Sequence, residues 1–404
     1  MRLAVVSPFL DRQHGTEVCV IEQIERLVRT GRCSIELYSQ RVSQLNGVRP
    51  AALVLPGEQV DIRWHQVSDI PGPHLIKYLW WFGANYWQRR QDKRSGRVRP
   101  DIIYSPGINC PDADVIVVHI VFHAFYEQVR SELALHRLPF RSWPRVIHRR
   151  LYYKLVKSLE RRIYSNRRVR LMAVSSLVAR QLEIHFQRED VVVIPNAVDT
   201  LRFTSEARIT KRVAARQSLS YQDSEFLLLL IGNDWKKKGL DALIEASALL
   251  KDLPLQILVV GADEPALYHL LIEKLGVQQR VRFEKPSMDV LTFYAAADLY
   301  VGPSLEDSFG LPILEAMACG VPVIASANAG ASELVQDGKT GLILRDPRNQ
   351  VELASLIRKI HGDDILRVSM GVAASRYVAS NCNWDENAEK TWRVLQDSLN
   401  RTTA

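Results

Sequence analysis

PSLEDSFGLPILEAMACGVPVIAS, residues 303–326, is the stretch that decides the fold. The apolar run Leu299–Val301 before it predicts a buried strand, residues 302–309 predict a loop, and a helix is predicted to begin near Leu311–Pro312. Proline at the start of a helix leaves the N–H groups of Gly310, Leu311 and Ile313 open. We therefore expect an anion site here, because open N–H groups and the helix dipole both attract negative charge.

Two acidic side chains bracket this expected anion site. Asp307 lies in the loop, and Glu315 lies one turn into the helix. Carboxylates accept hydrogen bonds from paired hydroxyls, so acids beside a phosphate site suit a sugar nucleotide. The alternative is a plain strand–loop–helix unit whose acids stabilise the helix N-terminus.

A second loop, Gly232–Gly239, carries three consecutive lysines after the apolar run Phe226–Ile231. Lys236, Lys237 and Lys238 sit where a strand leads into a helix, a place where parallel sheets bind ligands. Three cations there can neutralise a diphosphate without a metal ion. The alternative is a solvated surface charge run.

Apolar runs alternate with helical patterns along the whole chain, which predicts an α/β protein with two doubly wound parallel sheets. The helical patterns include Val20, Ile21, Ile24, Leu27 and Val28 in the first half, and Leu240, Leu243, Ile244, Ser247 and Leu250 in the second. The other predicted strands are Leu3–Val6, Ser34–Ser39, Asp101–Ser105, Val115–His119, Val191–Ile194, Leu255–Val260, Val281–Phe283, Val321–Ala325 and Leu342–Leu344.

The ordered motifs of residues 170–400 resemble the donor-binding domain of retaining GT-B glycosyltransferases of family 4, the glycosyl transferases of group 1. The resemblance implies two Rossmann-like domains facing a central cleft: an acceptor-binding domain over 1–197, a nucleotide-sugar-binding domain over 198–380, and a C-terminal helix over 381–404 that packs back toward the first domain. The matching motifs are Ala173–Ser176, Val193–Asp199 with Phe203, Trp235–Gly239, Asp307–Ala325, Asp337–Gly341 and Trp384–Ala388.

The resemblance also implies roles for the residues of both loops. Lys238 would contact the donor diphosphate with Lys237 or Lys236 assisting, and Glu315 would bind the ribose hydroxyls. The backbone of Phe309, Gly310 and Leu311 would meet the distal phosphate. Asp307 would hold the transferred sugar, although family members usually carry glutamate there. Asn233 stands where many members have arginine, which leaves more of the phosphate charge to the lysines.

The first half offers fewer site candidates. His119 and His123 follow the strand predicted over Val115–Val118, and the resemblance suggests that a histidine there orients the acceptor or the transferring sugar. The alternative for each loop histidine is a packing or surface role, and we favour His119. Gly15 in the first loop would let the backbone approach the phosphates. Asp112-Ala-Asp114 matches a metal-binding motif of another glycosyltransferase fold, but it precedes a strand and is predicted to be a turn.

The net charge of +8 belongs to the first half, since residues 1–200 carry 30 Lys/Arg and 19 Asp/Glu. Two segments, Tyr78–Arg99 and Arg137–Arg170, combine this charge with aromatic residues. Such a surface attracts anionic lipid headgroups. No nucleic-acid motif accompanies it, so we predict an anionic membrane surface and not nucleic acid as the partner. The alternative is an ordinary solvated face.

The five scattered cysteines and a first apolar stretch broken by Pro8 predict a buried first strand and a cytoplasmic protein, with peripheral attachment to the inner face of the membrane as an option. No cofactor or metal is expected beyond the nucleotide sugar. The predicted activity is retaining transfer of a hexose to a glycan or lipid-linked acceptor in bacterial cell-surface polysaccharide assembly. The alternatives are a nucleotide-sugar epimerase of the same architecture and a non-catalytic basic binding protein.

Overall fold

The computed structural model describes residues 1–12, 14–54, 60–130, 133 and 140–403. The chain divides into two compact units: Met1–Ile194 together with Asn387–Ala404, and Pro195–Glu386. The first three residues of the basic segment Arg137–Arg170 lie outside the described residues. None of the helices in the described ranges has an apolar stretch of the length that a bilayer requires.

The first unit is built on an eight-stranded sheet in which every pair of neighbours is parallel. The strand order is β10-β9-β8-β7-β1-β3-β6-β5, and β2 pairs with β4 separately. The strands are β1 Arg2–Val6, β2 Phe9–Leu10, β3 Ser34–Ser39, β4 Arg41–Val42, β5 Val48–Pro50, β6 Ile62–Gln66, β7 Ile102–Pro106, β8 Val115–Val118, β9 Arg170–Ala173 and β10 Val192–Val193. The helices of this stretch are α1 Gly15–Arg29, α2 His74–Arg94, α3 Phe122–Val129, α4 Trp143–Tyr164 and α5 Ser176–Phe186.

The second unit is built on a six-stranded parallel sheet with the order β13-β12-β11-β14-β15-β16. Its strands are β11 Phe226–Ile231, β12 Leu255–Val260, β13 Val281–Glu284, β14 Leu299–Gly302, β15 Val323–Ser326 and β16 Leu342–Leu344. Its helices are α6 Ser205–Ser218, α7 Leu240–Ala248, α8 Ala266–Leu275, α9 Leu291–Ala296, α10 Leu311–Ala318, α11 Gln350–His361 and α12 Asp364–Asn381, and α13 Trp384–Thr403 ends the chain. The central strands are buried on both faces, as parallel sheets require.

The fold class predicted from the sequence is confirmed: both units are α/β with parallel sheets. The apolar runs at Ser34–Ser39, Phe226–Ile231, Leu255–Val260 and Leu342–Leu344 are strands with the predicted bounds, and the other predicted strands shift by one or two residues at an end. Strands β2, β4, β5, β6 and β9 were not predicted. Only Ile62 and His65 of β6 are buried, so this strand has no continuous apolar run.

Helix α13 makes specific polar contacts to helix α1 and the turn after it, within the first unit. The Gln23 side-chain amide donates a hydrogen bond to Asn387 Oδ1 at 2.9 Å, and both residues are buried. The Arg32 guanidinium pairs with Glu389 at 2.7 Å and lies over the ring of Trp392. These contacts hold residues 387–403 to the rest of the first unit.

Candidate functional site

The two loops singled out in the sequence lie side by side at the carboxyl ends of the strands of the second sheet. Strand β11 has β12 on one side and β14 on the other, so the chain order reverses between β11 and β14. The lysine loop, Gly232–Gly239, follows β11, and the acid loop, Pro303–Gly310, follows β14. Ligands of doubly wound sheets bind beyond the carboxyl ends of the strands where this reversal occurs.

Backbone contacts hold the two loops together. The Leu305 N–H donates to the Lys237 carbonyl oxygen at 2.7 Å. Gly239, which precedes α7, has φ +77°, and a Cβ at this position would overlap the carbonyl oxygen of Pro303. Glycine is required here for both reasons.

Lys238 and Asp307 form the contact that joins the lysine loop to the acid loop. Lys238 Nζ donates to Asp307 Oδ2, and the two side chains remain 21% and 16% exposed. Asp307 is itself fixed by its backbone, because its N–H donates to the Asn328 carbonyl at 3.0 Å and its Oδ1 accepts from the Phe309 N–H at 3.3 Å. The ammonium group is thus held at the carboxyl edge of the sheet and still meets solvent.

The other two lysines of the loop take different positions. Lys237 Nζ lies 3.3 Å from Asp234 Oδ2, within the same loop. Lys236 is exposed on the loop surface. The three lysines therefore do not form one equivalent cluster, and the side chain of Lys238 contacts the acid loop through Asp307.

The N-terminus of helix α10 presents two backbone N–H groups at this edge. Gly310 has φ +91° and precedes the helix, with Pro312 in its first turn. Within the described residues, the N–H groups of Gly310 and Leu311 have no acceptor. The prediction that the Ile313 N–H is also open was wrong: it donates to the Gly310 carbonyl at 3.0 Å, which closes the first turn.

Glu315 projects from α10 and is bound by a tyrosine that the sequence analysis missed. The buried Tyr294 hydroxyl of α9 donates to Glu315 Oε2 at 2.6 Å. Burial raises the pKa of Glu315, while the Tyr294 hydrogen bond and the nearby Arg202 oppose that shift. Burial raises the pKa of the Tyr300 phenol, and the negative charges of Asp307 and Glu315 raise it further. Tyr294 lies 21 residues before Glu315, and no motif links the two in sequence.

His119 and Gly15 belong to the first unit. His119 follows β8, and its Nε2 is buried with no hydrogen-bond partner among the described residues. Burial lowers the pKa of His119 to about 4, so the imidazole is neutral at pH 7. Gly15 is the first residue of α1 and not part of the preceding loop, which corrects its predicted position.

His123 is helical and bonded to a buried acid, which corrects its placement as a loop histidine. It lies in the first turn of α3, where its Nδ1 is 2.6 Å from Glu160 Oε2. Glu160 also accepts the Phe122 and His123 N–H groups at 2.6 and 2.9 Å. Residues 137–170 contain twelve Lys/Arg and a single acid, Glu160, which is buried. A lone acid in so basic a segment was a sequence signal for a buried structural role.

The aspartates of residues 112–114 have structural partners. Asp112 receives two hydrogen bonds from Arg89, at 2.9 and 2.7 Å, and Asp114 accepts the Ile103 N–H at 2.8 Å. Over the described ranges, no group of three or more His, Cys, Asp or Glu side chains is arranged to hold a metal ion. All five cysteines are buried free thiols.

Two family models match the chain, one in each half. Residues 14–202 match Glycosyltransferase Family 4, and residues 211–398 match Glycosyl transferases group 1. The chain belongs to the group 1 glycosyltransferases. The family predicted from the sequence motifs is thereby confirmed.

Curated relatives of this group 1 glycosyltransferase match it over about half of its length. The lipopolysaccharide glucosyltransferase WaaG of Escherichia coli (strain K12) is 30% identical over 56% of the chain and 62% of the relative. A D-inositol 3-phosphate glycosyltransferase of Corynebacterium aurimucosum is 33% identical over 52% of each protein. The matched regions thus span about half to three fifths of these relatives.

Solved structures confirm the GT-B fold of this group 1 glycosyltransferase. The WaaG crystal structure matches with a TM-score of 0.73 at 24% identity, covering 96% of this chain and 98% of that chain. Anabaena Alr3699/HepE in complex with UDP-glucose matches with a TM-score of 0.69 at 21% identity, covering 98% and 100%. At these identities the likeness establishes the fold alone, and the roles of individual residues remain predictions.

Proposed function

We propose that the protein transfers a hexose from a nucleotide diphosphate sugar to a hydroxyl of a glycan or lipid-linked acceptor. The observation that carries the proposal is the Lys238–Asp307 contact at the carboxyl edge of the second sheet. It places a cation, a carboxylate and the N-terminus of α10 together where doubly wound sheets bind nucleotides. A sugar nucleotide needs the same three groups, for its diphosphate and its hydroxyls.

In this proposal Lys238 and the backbone N–H groups before α10 bind the diphosphate. Negative charge grows on the leaving phosphate during transfer, and donors already aimed at that charge stabilise the transition state. Lys236 and Lys237 add to the positive potential of the loop, and Phe309, Gly310 and Leu311 supply the backbone that meets the distal phosphate. Metal independence is part of the proposal, since the lysines supply the positive charge.

The two acids bind sugar hydroxyls in this proposal, each in a different part of the donor. Glu315 binds the ribose, because one carboxylate oxygen is held by Tyr294 and the other can accept a hydroxyl. Asp307 binds the transferred hexose and holds Lys238 in place until the diphosphate arrives. The shorter side chain of aspartate positions this contact closer to the backbone than the usual glutamate would.

The first unit supplies the acceptor side of the reaction. We assign acceptor binding to residues 1–197, donor binding to 198–380 and a bracing role to the helix within 381–404. His119 is neutral at pH 7, so it can donate a hydrogen bond to the sugar or the acceptor, or accept one from either. Gly15 at the start of α1 brings backbone N–H groups to the donor phosphates.

Transfer is proposed to retain the anomeric configuration, as the family resemblance implies. The two carboxylates have other roles in this proposal: Asp307 binds Lys238 and the hexose, and Glu315 binds Tyr294 and the ribose. Neither is assigned as the nucleophile of a double displacement. The leaving phosphate would accept the proton of the attacking hydroxyl on the same face of the sugar.

Product analysis tests this function. We would incubate the protein with UDP-glucose, UDP-galactose or GDP-mannose and a glycolipid extract of the source cells, and follow the products by NMR. Transfer with retention gives an acceptor-dependent glycoside with the donor's anomeric configuration. Release of nucleotide without acceptor, together with an epimerised sugar, would show an epimerase, and an intact donor in every arm would leave a binding protein.

We also propose that helices α2 and α4 form a membrane-facing surface. The two helices pack together: the rings of Tyr78 and Tyr152 lie 5.7 Å apart, and the Leu75 N–H donates to His148 Nε2 at 3.1 Å. Both carry exposed apolar side chains among their arginines and lysines: Ile76, Leu79, Trp80, Trp87, Ile147 and Leu151. Apolar anchors and cations on one surface favour an anionic lipid headgroup layer.

Vesicle co-sedimentation tests this surface. Binding to phosphatidylcholine vesicles is expected to rise when phosphatidylglycerol is added, and to fall in a Leu79→Ser/Leu151→Ser variant. The matched control is Leu267→Ser, an exposed leucine of the second unit. Binding that ignores phosphatidylglycerol, or that falls equally in the control, would refute the membrane surface.

A further inference from the structure

The first unit contains an open cavity of about 470 Å³ between helices α3 and α4. Helix α3 contributes His123 and Tyr126, and helix α4 contributes four cations: Arg150, Lys154, Lys157 and Arg161. A volume in this range suits a small-molecule ligand and not merely a single ion.

The four cations share one face of α4 because they are spaced by four, three and four residues. Like charges at such spacings repel, at about 0.2–0.5 kcal/mol per pair, and surface helices usually interleave them with acids. Within the described part of the chain, none of the four forms an ion pair with a carboxylate. A wall of unpaired like charges around a cavity is explained by an anionic occupant.

The neighbouring aromatic residue fixes one of these cations. Lys157 Nζ lies 4.4 Å from the centre of the Tyr126 ring, which orients the ammonium group by a cation–π contact. Lys157 is half-buried, whereas Arg150, Lys154 and Arg161 are exposed. The cavity is therefore lined by one half-buried cation that contacts an aromatic ring and by three exposed cations.

A buried acid, Glu160, lies next to the lining and is bonded to the lining residue His123. Burial raises the pKa of Glu160 to about 8, although two backbone N–H groups and Lys157 oppose the shift. Burial, Lys157, His185 and Arg161 lower the pKa of His123 to about 4. Both shifts oppose ionisation of this hydrogen-bonded pair, so the four cations set the charge of the cavity.

We propose that this cavity binds a phosphate group, and that the acceptor of the reaction carries it. A phosphate monoester presents nearly two negative charges and three acceptor oxygens, which matches several cations better than a single carboxylate would. The assignment to the acceptor rests on the proposed transferase function. The phosphate can belong to a soluble sugar phosphate or to a lipid headgroup, and the chemistry at the cavity is the same.

Calorimetric titration with glucose 6-phosphate, with glucose as the neutral comparison, tests the cavity on the full chain. The pocket variant is Arg150→Ala/Lys154→Ala, which removes two exposed cations from the lining. The control is Arg145→Ala/Arg149→Ala, on the same helix with the same loss of charge but outside the lining. We expect glucose 6-phosphate to bind the wild type and the control alike, and at least tenfold more weakly to the pocket variant.

Two further experiments separate a soluble from a lipid source of the phosphate, and separate this proposal from the proposed transferase function. A lipid headgroup would appear as loss of binding to vesicles that contain phosphatidic acid, a phosphate monoester lipid, in the pocket variant but not in the control, with glucose 6-phosphate displacing the wild type. The inference is overturned if neither ligand distinguishes the pocket variant from the control. A parallel titration with UDP keeps the transferase question apart: the pocket variant retains UDP binding, and failure of UDP binding leaves the glucose 6-phosphate result in place.

Discussion

At the residue scale, the site depends on side chains whose partners are tertiary and not local. Asp307 is held by the backbone around it and in turn holds Lys238, 69 residues earlier in the chain. Glu315 is held by Tyr294 in the same way. Each acid has therefore a fixed position before any ligand binds, which is what preorganised binding requires.

Glu160 gives a residue-scale prediction on stability against pH. Its pKa is about 8 in the folded protein and about 4.5 ordinarily, so between these values the unfolded chain has lost a proton that the folded chain keeps. Raising the pH then lowers the free energy of unfolding. His123 acts in the opposite sense but only below its ordinary pKa of 6.5, so the window is pH 6.5–8. The charged or titratable groups facing Glu160 are His123, Lys157, Tyr78 and Tyr164.

Urea unfolding of the wild type and Glu160→Gln across this window is the measurement. Glutamine has no proton to lose, so the stability of the wild type relative to the variant is expected to fall by up to about 1.4 kcal/mol per pH unit. Glu127→Gln, an exposed acid of α3, serves as the control and should run parallel to the wild type. A Glu160→Gln curve that is also parallel would contradict the buried, protonated carboxyl.

The sequence predicted the positions of the two loops better than the partners of their side chains. Loops that follow parallel strands lie at the carboxyl ends of one sheet, so the lysine loop and the acid loop were expected near each other, whereas the Lys238–Asp307 contact itself was not predicted. The partners of Tyr294 and Glu160 could not be predicted either, because their hydrogen bonds run across 21 and 37 residues with no shared motif.

At the scale of elements, the two functional loops behave as one piece of backbone. The Leu305 N–H bonds to the Lys237 carbonyl, and Gly239 packs on the Pro303 carbonyl. Side chains on one loop are therefore positioned by the other. This packing explains why a lysine and an aspartate on separate loops meet without a shared helix or strand.

A pair of glycine substitutions tests the packing of the loops. Gly239 and Gly338 have nearly the same φ, +77° and +76°, but a Cβ at Gly338 would meet no atom within 4 Å. Gly338→Ala is expected to lower the free energy of unfolding by roughly 1–2 kcal/mol, which is the strain of an alanine in the left-handed conformation. Gly239→Ala should cost about 1–3 kcal/mol more because the loops must separate. Equal losses in thermal or urea unfolding would show that the loops do not pack as described.

Elements were predicted well where burial leaves an apolar run and poorly where it does not. The central strands of both sheets are buried on two faces, and their sequences show it. Strands β5 and β6 lie at one edge of the first sheet with mixed sequences. Helices α2 and α4 read as basic surface segments, yet Trp81 and Tyr153 are buried within them. A charged composition hides such an inward face.

At the scale of the whole molecule, charge and chemistry are divided between the halves of the chain. The first half carries the excess of Lys/Arg, the basic cavity and the α2–α4 surface, and the second carries the lysine loop and the acid loop. This division fits a first unit that takes an anionic acceptor and a second unit that takes the nucleotide. The family and the GT-B fold followed from motifs in the second half, whereas the cavity in the first half required the packing of α3 against α4.

The central claim is that the second unit binds a nucleoside diphosphate through Lys238. Calorimetric titration of the wild type, Lys238→Ala and Lys359→Ala with UDP, GDP, ADP and dTDP tests it directly, since Lys359 is an exposed lysine of α11 away from the loops. We expect one diphosphate to bind the wild type and Lys359→Ala equally, and Lys238→Ala at least tenfold more weakly, about 1.4 kcal/mol or more. Equal affinity in all three proteins, or no binding of any diphosphate, would contradict the claim.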